Sequence, residues 1–451
     1  MIDLIIGLLT ILPQCFVILQ QSIYYVYSKR ANKVPNNVEL HTVSIIIPVK
    51  GEKTETIKEL LNDIEASNYP KNKIEVIIVS DDNEGDFEKI KESLGNYSFE
   101  LKLLRRENKV GFKSAALQYG FERSKGELIL TLDADSRFNE NYIKSMVLHC
   151  MYYKSPVVSR WRGKNDETFL GMGMFVTTEI GSKAYLLGRG NLGLLLMPVG
   201  SGTIFQRKQL EEVSGWDLEV IQDDLTIGAK LMKKGISAKP NSEVLLLQEV
   251  PLTHRALFIQ QTRWAYGSAE TMRRYLMDII TSPFPIIKKL ELLTYLNGYL
   301  GLTFNFIGSL LIAILEPYLH SPISYPLLLL WILSFSPYSY IFVKEALKKG
   351  YKFIDSIQLM GRISGIMNSF SPFITLSIIR AFTGRRFSYV VTPKGNRGGS
   401  MLSVSLISLF LGIITVTSSL LYIFKSIPTS IWLFMVGFGY LYSSYRLSTN
   451  Q

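Results

Sequence analysis

The chain has 451 residues, 47% hydrophobic and 19% charged, with a formal net charge of +11. This excess does not mark a nucleic-acid binder, which would carry its basic residues as a patch along a phosphate backbone. Here they gather at the ends of apolar runs, at Lys29, Arg30 and Lys33, at Lys288 and Lys289, at Lys344, Lys348, Lys349 and Lys352, and at Arg380, Arg385 and Arg386, the placement the positive-inside rule leaves behind. Two cysteines, Cys15 and Cys150, offer neither a disulfide framework nor a metal-ligand spacing and read as small buried hydrophobes.

A membrane-spanning helix needs about 20 mostly apolar residues. Leu4 to Tyr27 meets that length; it is too long, and lacks the basic start and small-residue cleavage site, for a signal peptide. Residues 1–30 are therefore expected to be a retained anchor. Only Asp3 is charged before the run, whereas Lys29 and Arg30 follow it, so the amino terminus is predicted outside and the next domain in the cytosol of a multi-pass cell-membrane protein.

Residues 31–285 read as a soluble α/β domain. Val43 to Pro48 and Glu75 to Ser80 are short β-branched runs, and between them Ile57, Leu60, Leu61 and Ile64 fall at helical spacing within Thr54 to Ser67. A strand over Glu100 to Leu104, a helix over Lys113 to Ser124 and a strand over Glu127 to Leu132 continue the alternation. That order predicts a parallel sheet with ligands at the carboxyl ends of its strands. Acidic or functional residues follow three of the four strands: Pro48-Val49-Lys50-Gly51-Glu52, Asp81-Asp82-Asn83 and Asp133-Ala134-Asp135. Each alone is an ordinary turn sequence; on one sheet edge they suggest a site.

The chemistry suggested is transfer from a diphosphate. Hard divalent cations such as Mg²⁺ or Mn²⁺ take one or two protein carboxylates plus phosphate oxygens, and Asp133 and Asp135 supply that pair. Asp223-Asp224 follows Val199-Gly200-Ser201-Gly202; Asp224 is the candidate base for an acceptor hydroxyl, although Leu225 to Lys233 looks helical and acids also suit a helix start. Gln260-Gln261-Thr262-Arg263-Trp264 offers an arginine to neutralise a leaving diphosphate and an indole on which a sugar ring can stack.

Farther on, Leu292 to Leu315 and Ile323 to Val343 are expected to form a membrane hairpin within residues 286–346 whose outer turn, Glu316 to Pro322, has no Lys or Arg. Met401 to Phe424 and Ile427 to Ser444 form a second hairpin within residues 401–451. Between them Phe353 to Phe382 is apolar yet carries Asp355, Arg362 and Arg380, so residues 347–384 are expected to be helices lying in the interface. About five spans result. A transporter driven by a P-loop is not indicated, since no G-x-x-x-x-G-K-[ST] occurs.

In order and spacing these motifs resemble the family-2 inverting glycosyltransferases of the cellulose-synthase and hyaluronan-synthase type, with their D, DxD, TED and QxxRW signatures. The resemblance runs from about Val43 to Gly395. Asp81-Asp82 fits the first signature, Asp133-Ala134-Asp135 the second, Gln222-Asp223-Asp224 the third and Gln260 to Trp264 the fourth. A further match is Tyr389-Val390-Val391-Thr392-Pro393-Lys394-Gly395, similar to the cytosolic gating loop of cellulose synthases, which places a gate at residues 385–400.

The resemblance implies a GT-A-type domain with a mixed, mostly parallel sheet inserted between membrane helices. It implies a nucleotide-sugar donor, with UDP the expected nucleotide. Glu52, Asp81 and Asp82 would lie near the nucleoside, Lys113, Gln260, Arg263, Thr392 and Lys394 near the diphosphate, and Asp133 and Asp135 at the cation. Asp224, beside Asp223, would be the base, with Trp264 and Val199, Gly200 and Ser201 at the acceptor. The acidic signature departs from the family, reading Gln-Asp-Asp for Thr-Glu-Asp, and Tyr389 replaces Phe. The gating loop favours a polysaccharide synthase that also translocates its product. The single amino-terminal span is also similar to ceramide glucosyltransferases, which add one sugar to a lipid.

Overall fold

The computed structural model describes residues 1–29, 39–385, 387, 390, 392–393, 395 and 399–449. Seven strands make one sheet in the order β3-β2-β1-β4-β6-β5-β7. They are β1 (Val43–Val49), β2 (Ile74–Ser80), β3 (Glu100–Arg105), β4 (Leu128–Thr131), β5 (Val157–Gly163), β6 (Thr203–Gln206) and β7 (Lys239–Gln248). The half from β3 to β4 is parallel, and β5 is parallel to β7. The sheet is mixed and mostly parallel, as the resemblance implies, with β6 running antiparallel to both β4 and β5.

Helices cover both faces. On one side lie α2 (Thr54–Glu65), α3 (Glu84–Ser93) and α5 (Tyr142–Tyr153); on the other lie α4 (Phe112–Glu122) and, past α6 (Phe169–Gly181), α7 (Arg189–Asn191) and α8 (Arg207–Glu211), the helix α9 (Asp223–Lys233). Strand β1 shows why. In Val43-Ser44-Ile45-Ile46-Ile47-Pro48-Val49 successive side chains point to opposite faces, so Ile45 and Ile47 join the core with Leu60, Leu61 and Met146. Ile46 points the other way, against Ala116, Leu117, Phe121 and Ile227. An unbroken aliphatic run is what a strand buried on both faces needs.

The 27-residue helix α10 (His254–Ile280) leads into the flanking helices α11 (Ile286–Leu296), α12 (Tyr299–Ile314), α13 (Tyr325–Lys349), α14 (Phe353–Phe382), α15 (Leu402–Tyr422) and α16 (Ile427–Thr449), which pack with α1 (Ile2–Tyr27). Three expectations change here. Leu292 to Leu315 is not one straight helix: α11 and α12 meet at a 56° bend across Asn297 and Gly298. Phe353 to Phe382 is one continuous helix of 30 residues, running through Pro372, where several interfacial helices were expected; its apolar face packs on α10, α12, α13 and α16. Among the described residues α1, α13 and α15 are long and apolar enough to cross a membrane, and the bent α11–α12 pair is a fourth if it counts as one span. Helix α16, diluted by serine, threonine and glycine, falls short of that apolarity. Close approach of α1 and α12 depends on Gly308, where a Cβ would strike Thr10.

Candidate active site

The carboxyl ends of β1, β2 and β4 lie side by side, and the loops leaving them carry the acidic residues. After β2, Asp81 and Asp82 are both buried. Asp82 Oδ1 accepts the Gly51 N–H at 2.7 Å and Oδ2 the Ser80 hydroxyl at 2.9 Å, so it fixes the β1 loop that bears the half-buried Glu52. Asp81 has a different engagement. Arg106 Nε and a terminal guanidinium nitrogen donate to its two oxygens at 2.7 and 2.6 Å, and the same guanidinium holds the Val110 and Phe112 carbonyls. Asp81 thus orders the loop that opens α4, with Lys113 in its first turn.

Lys113 is the centre of the cluster. Its Nζ donates to Asp133 Oδ1 at 2.6 Å and to the Gly200 carbonyl at 2.7 Å. A Cβ built on Gly200 would lie 3.3 Å from Lys113 Nζ and 3.6 Å from Asp224 Oδ2. Residues from α4, the β4 loop, the 199–202 loop and the start of α9 therefore meet around one point. The 199–202 loop is stitched beneath the DxD loop: Ser201 Oγ accepts the Asp133 N–H and lies 2.9 Å from Ser136 Oγ, and Gly202 N–H donates to the Thr131 carbonyl. Gly202 has φ +79°, and a Cβ there would collide with Ser159, Leu246 and Tyr142, so only glycine fits. Trp161, missed in the sequence, donates its indole N–H to the Ser201 carbonyl at 2.8 Å. Its only signal was an aromatic between two arginines.

Asp223 and Asp224 open α9, where unpaired backbone N–H groups favour negative charge; Asp224 Oδ1 accepts the Leu225 N–H at 2.8 Å. Burial outweighs that help. It raises both carboxyls, Asp224 to about 7, with neighbouring Asp223 pushing the same way and Lys113 opposing. Asp224 keeps part of its surface open to the cleft although protein encloses it deeply. The charges of Lys113, Asp133 and Arg263 all act on Asp223.

Gln260, Arg263 and Trp264 are half-buried and share one face of α10 through their i, i+3, i+4 spacing. Helix α10 is locked to the start of α9 through Gly267, whose missing side chain leaves room for Gln222. The start of the 385–400 segment docks on α10 as well: the Phe387 and Tyr266 rings lie 4.8 Å apart, and the Tyr266 hydroxyl donates to the Arg385 carbonyl. Thr392 is half-buried with its hydroxyl enclosed and lacking a partner among the described residues. Tyr389, Val391 and Lys394 lie outside the described residues.

Asp135 is buried on the loop with Asp133, and Lys164 Nζ donates to its carbonyl. Among the described residues no three His, Cys, Asp or Glu side chains form a metal cluster. The donor set of Asp133 and Asp135, hard and incomplete, fits a divalent cation whose remaining oxygens come from a phosphate.

The profile of "Glycosyl transferase family group 2" matches residues 128–443. A "Probable glycosyltransferase" of Sulfolobus acidocaldarius is 37% identical over 97% of this chain and 96% of its own length. The "Beta-monoglucosyldiacylglycerol synthase" of Synechocystis is 27% identical over 56% of this chain and 53% of its own, and the "Poly-beta-1,6-N-acetyl-D-glucosamine synthase" of Staphylococcus aureus is 28% identical over 59% and 65%. Among solved structures, the mannosyltransferase PcManGT of Pyrobaculum calidifontis, in complex with GDP-Man and Mn²⁺, superposes with a TM-score of 0.58 at 15% identity, covering 84% of this chain and 100% of that one. The sheet shares that protein's fold, and the chain belongs to glycosyl transferase family group 2 and is a glycosyltransferase.

Proposed function

We propose that the protein transfers a sugar, with inversion, from a nucleotide diphosphate donor to a growing glycan, and passes that glycan across the membrane in which it sits. The observation that carries this is the meeting of Lys113, Asp133, Gly200 and Asp224 around one point. Asp224 Oδ2 takes the proton of the acceptor hydroxyl as its oxygen attacks the anomeric carbon. The bond to the diphosphate breaks, and its electron pair leaves with the phosphate oxygen. Lys113, Gln260 and Arg263 hold the diphosphate and offset its growing charge, with Thr392 and Lys394 closing over it. Glu52 and Asp82 face the nucleoside, and Asp81 positions the α4 loop through Arg106. Trp264 and the Val199–Ser201 loop seat the acceptor.

A divalent cation, Mg²⁺ or Mn²⁺, held by Asp133 and Asp135, supplies Lewis-acid neutralisation of the diphosphate when bound. The Mn²⁺ complex of the structural relative supports this choice. The polymer reading is supported by the staphylococcal polysaccharide synthase among the relatives and by the 389–395 sequence. Addition of one sugar to a membrane lipid is the second reading, favoured by the diacylglycerol-glycosylating relative. The soluble domain faces the cytosol, with the amino terminus outside, about five spans and a gate at 385–400. The purified protein in lipid, given labelled nucleotide sugars with Mg²⁺ or Mn²⁺, tests this by product size. Label in long chains supports synthesis of a polymer, and label confined to single-sugar lipids refutes it.

A further inference from the structure

Strand β5 meets the 199–202 loop three times. The Ser159 N–H and hydroxyl both donate to the Gly202 carbonyl, at 2.9 and 3.2 Å, and the Trp161 indole donates to the Ser201 carbonyl at 2.8 Å. Strand β6 pairs with β5 only at Val157 and Val158, and the β5–β7 register shifts between Ser159 and Arg160. Irregularities of this kind gather beside active sites, where they re-aim a side chain. Past the shift, the Trp161 N–H is taken by Ser182 Oγ at 3.0 Å. Ser182 opens a π-helical segment, Ser182–Gly188, that continues α6; such turns are rare and frequent at functional sites.

Side chains alternate along a strand, and the neighbours of Trp161 turn the other way. Arg162 donates to both oxygens of Glu179 on α6, at 3.1 and 3.2 Å, and Arg160 lies 3.6 Å from the same carboxylate. Lys183, next to Ser182, bridges Glu179 at 2.9 Å and Glu345 of α13 at 2.7 Å. Glu345 also accepts the Tyr25 hydroxyl of α1 and, at 2.9 Å, Lys348 Nζ. An unbroken chain of polar contacts thus runs from α1 and α13 through Lys183, Glu179 and Arg162 to the strand that holds the loop. Glu179 and Glu345 are each 5% exposed. Buried ion pairs add little net stability over apolar packing of the same volume, so stability alone does not account for them.

We propose that Glu179 is a positioning residue for the acceptor. Through Arg162 it sets β5, and β5 sets the Ser201 and Gly202 carbonyls. Lys183 and Glu345 hold that setting in one register against α1 and α13, two helices long and apolar enough to cross a membrane. The two-point contact between the Arg162 guanidinium and the Glu179 carboxylate fixes orientation as well as distance, which a neutral side chain in place of Glu179 would not do. The inference rests on the acceptor role proposed for Val199–Ser201.

The chain holds five tryptophans, few enough to separate in ¹⁹F spectra of the full-length protein carrying 5-fluorotryptophan, in nanodiscs of polar lipids from the producing cells. Trp161→Phe assigns the Trp161 signal. The same samples, given labelled UDP-glucose or GDP-mannose, whichever the parent turns over, read the ratio of transfer to donor hydrolysis, since water needs no acceptor seat. Glu179→Gln is expected to move the Trp161 signal and to lower that ratio about tenfold, within the ~10²-fold that a 1 Å misplacement costs, with donor affinity unchanged. Lys183→Arg, which keeps the bridging charge, is expected to stay near the parent in both readings, as is Glu316→Gln, whose partner is Lys425 in the turn before α16. Should Glu179→Gln not fold, Glu345→Gln reads the chain of contacts from its α13 end and is expected to move the same signal. An unmoved signal in the folded variant, or an equal shift in Glu316→Gln, overturns the proposal; a lowered ratio in Trp161→Phe would then leave the acceptor role of the loop standing. An unchanged ratio in Trp161→Phe overturns that role and the proposal with it.

Discussion

Replacing Asp224 with asparagine separates the energetic role of this carboxyl from its chemical one. The side chain keeps its shape and its acceptor for the Leu225 N–H, but it no longer ionises. The native carboxyl is raised from 3.8 to about 7, burial first and Asp223 second. A raised carboxyl binds its proton more tightly in the folded state than in the unfolded one, so its stability contribution is full below the unfolded value and is lost as pH climbs through about 7. Each unit corresponds to about 1.4 kcal/mol. Solvent reaching this partly open group screens the full shift, leaving an expected gain of about 1–2 kcal/mol for Asp224→Asn at pH 8 and none near pH 4. Turnover at pH 8 should fall about 10²–10⁴-fold, the usual contribution of a general base, while donor affinity stays near that of the parent. In the parent protein, transfer should rise with pH through about 7, where Asp224 loses its proton. Thermal unfolding at the two pH values, single-turnover transfer and nucleotide-sugar titration measure these quantities. A variant with normal turnover, or one destabilised at pH 8, would refute the assignment of Asp224 as a buried base.

Asp135→Ala should remove Mn²⁺-dependent enhancement of donor binding in equilibrium titrations; enhancement that survives would exclude Asp135 as a ligand. Arg106→Ala strands the buried Asp81 charge and should cost about 3–5 kcal/mol in denaturant unfolding, with the Asp81→Ala/Arg106→Ala double variant recovering part of it. Trp161→Phe leaves the Ser201 carbonyl without its donor, for a loss of about 1–3 kcal/mol and a rise in acceptor KM that exceeds any rise in donor KM. Deleting Tyr389 to Gly395 should depress transfer far more than it lowers the melting temperature, and a deletion that retains full activity would rule out a gate.

The strands β1 and β2 were legible nearly to the residue because both are aliphatic on both faces, and burial between two helix layers leaves that signature directly in composition. Strands β5 to β7 were not. In β5, Arg160, Trp161 and Arg162 interrupt the apolar run, its pairing with β7 shifts at Ser159, and β6 is only Thr203–Gln206. The bend between α11 and α12 was written in Asn297-Gly298, but the apolar residues around it average out in a hydropathy window. Helix α14 appeared divided because its charges interrupt the apolar stretch; Arg362 sits at a side-chain cluster and Pro372 inside an otherwise continuous helix. Within the site, the residue types were visible as motifs, whereas the link from Lys113 to Gly200 joins residues 87 positions apart, and only the folded sheet brings them together. Asp81 shows the opposite case: its motif suggested a ligand contact, and the structure commits both of its oxygens to Arg106, a partner that no local pattern announced.

The most direct test is an experimental map of the Asp224→Asn protein with a nucleotide sugar and Mn²⁺, where removal of the base preserves the donor. Density for the diphosphate bounded by Lys113, Asp133, Asp135 and Arg263, with the anomeric carbon turned toward residue 224, is the predicted result. A donor bound elsewhere, or one whose sugar points away from that side chain, would contradict it.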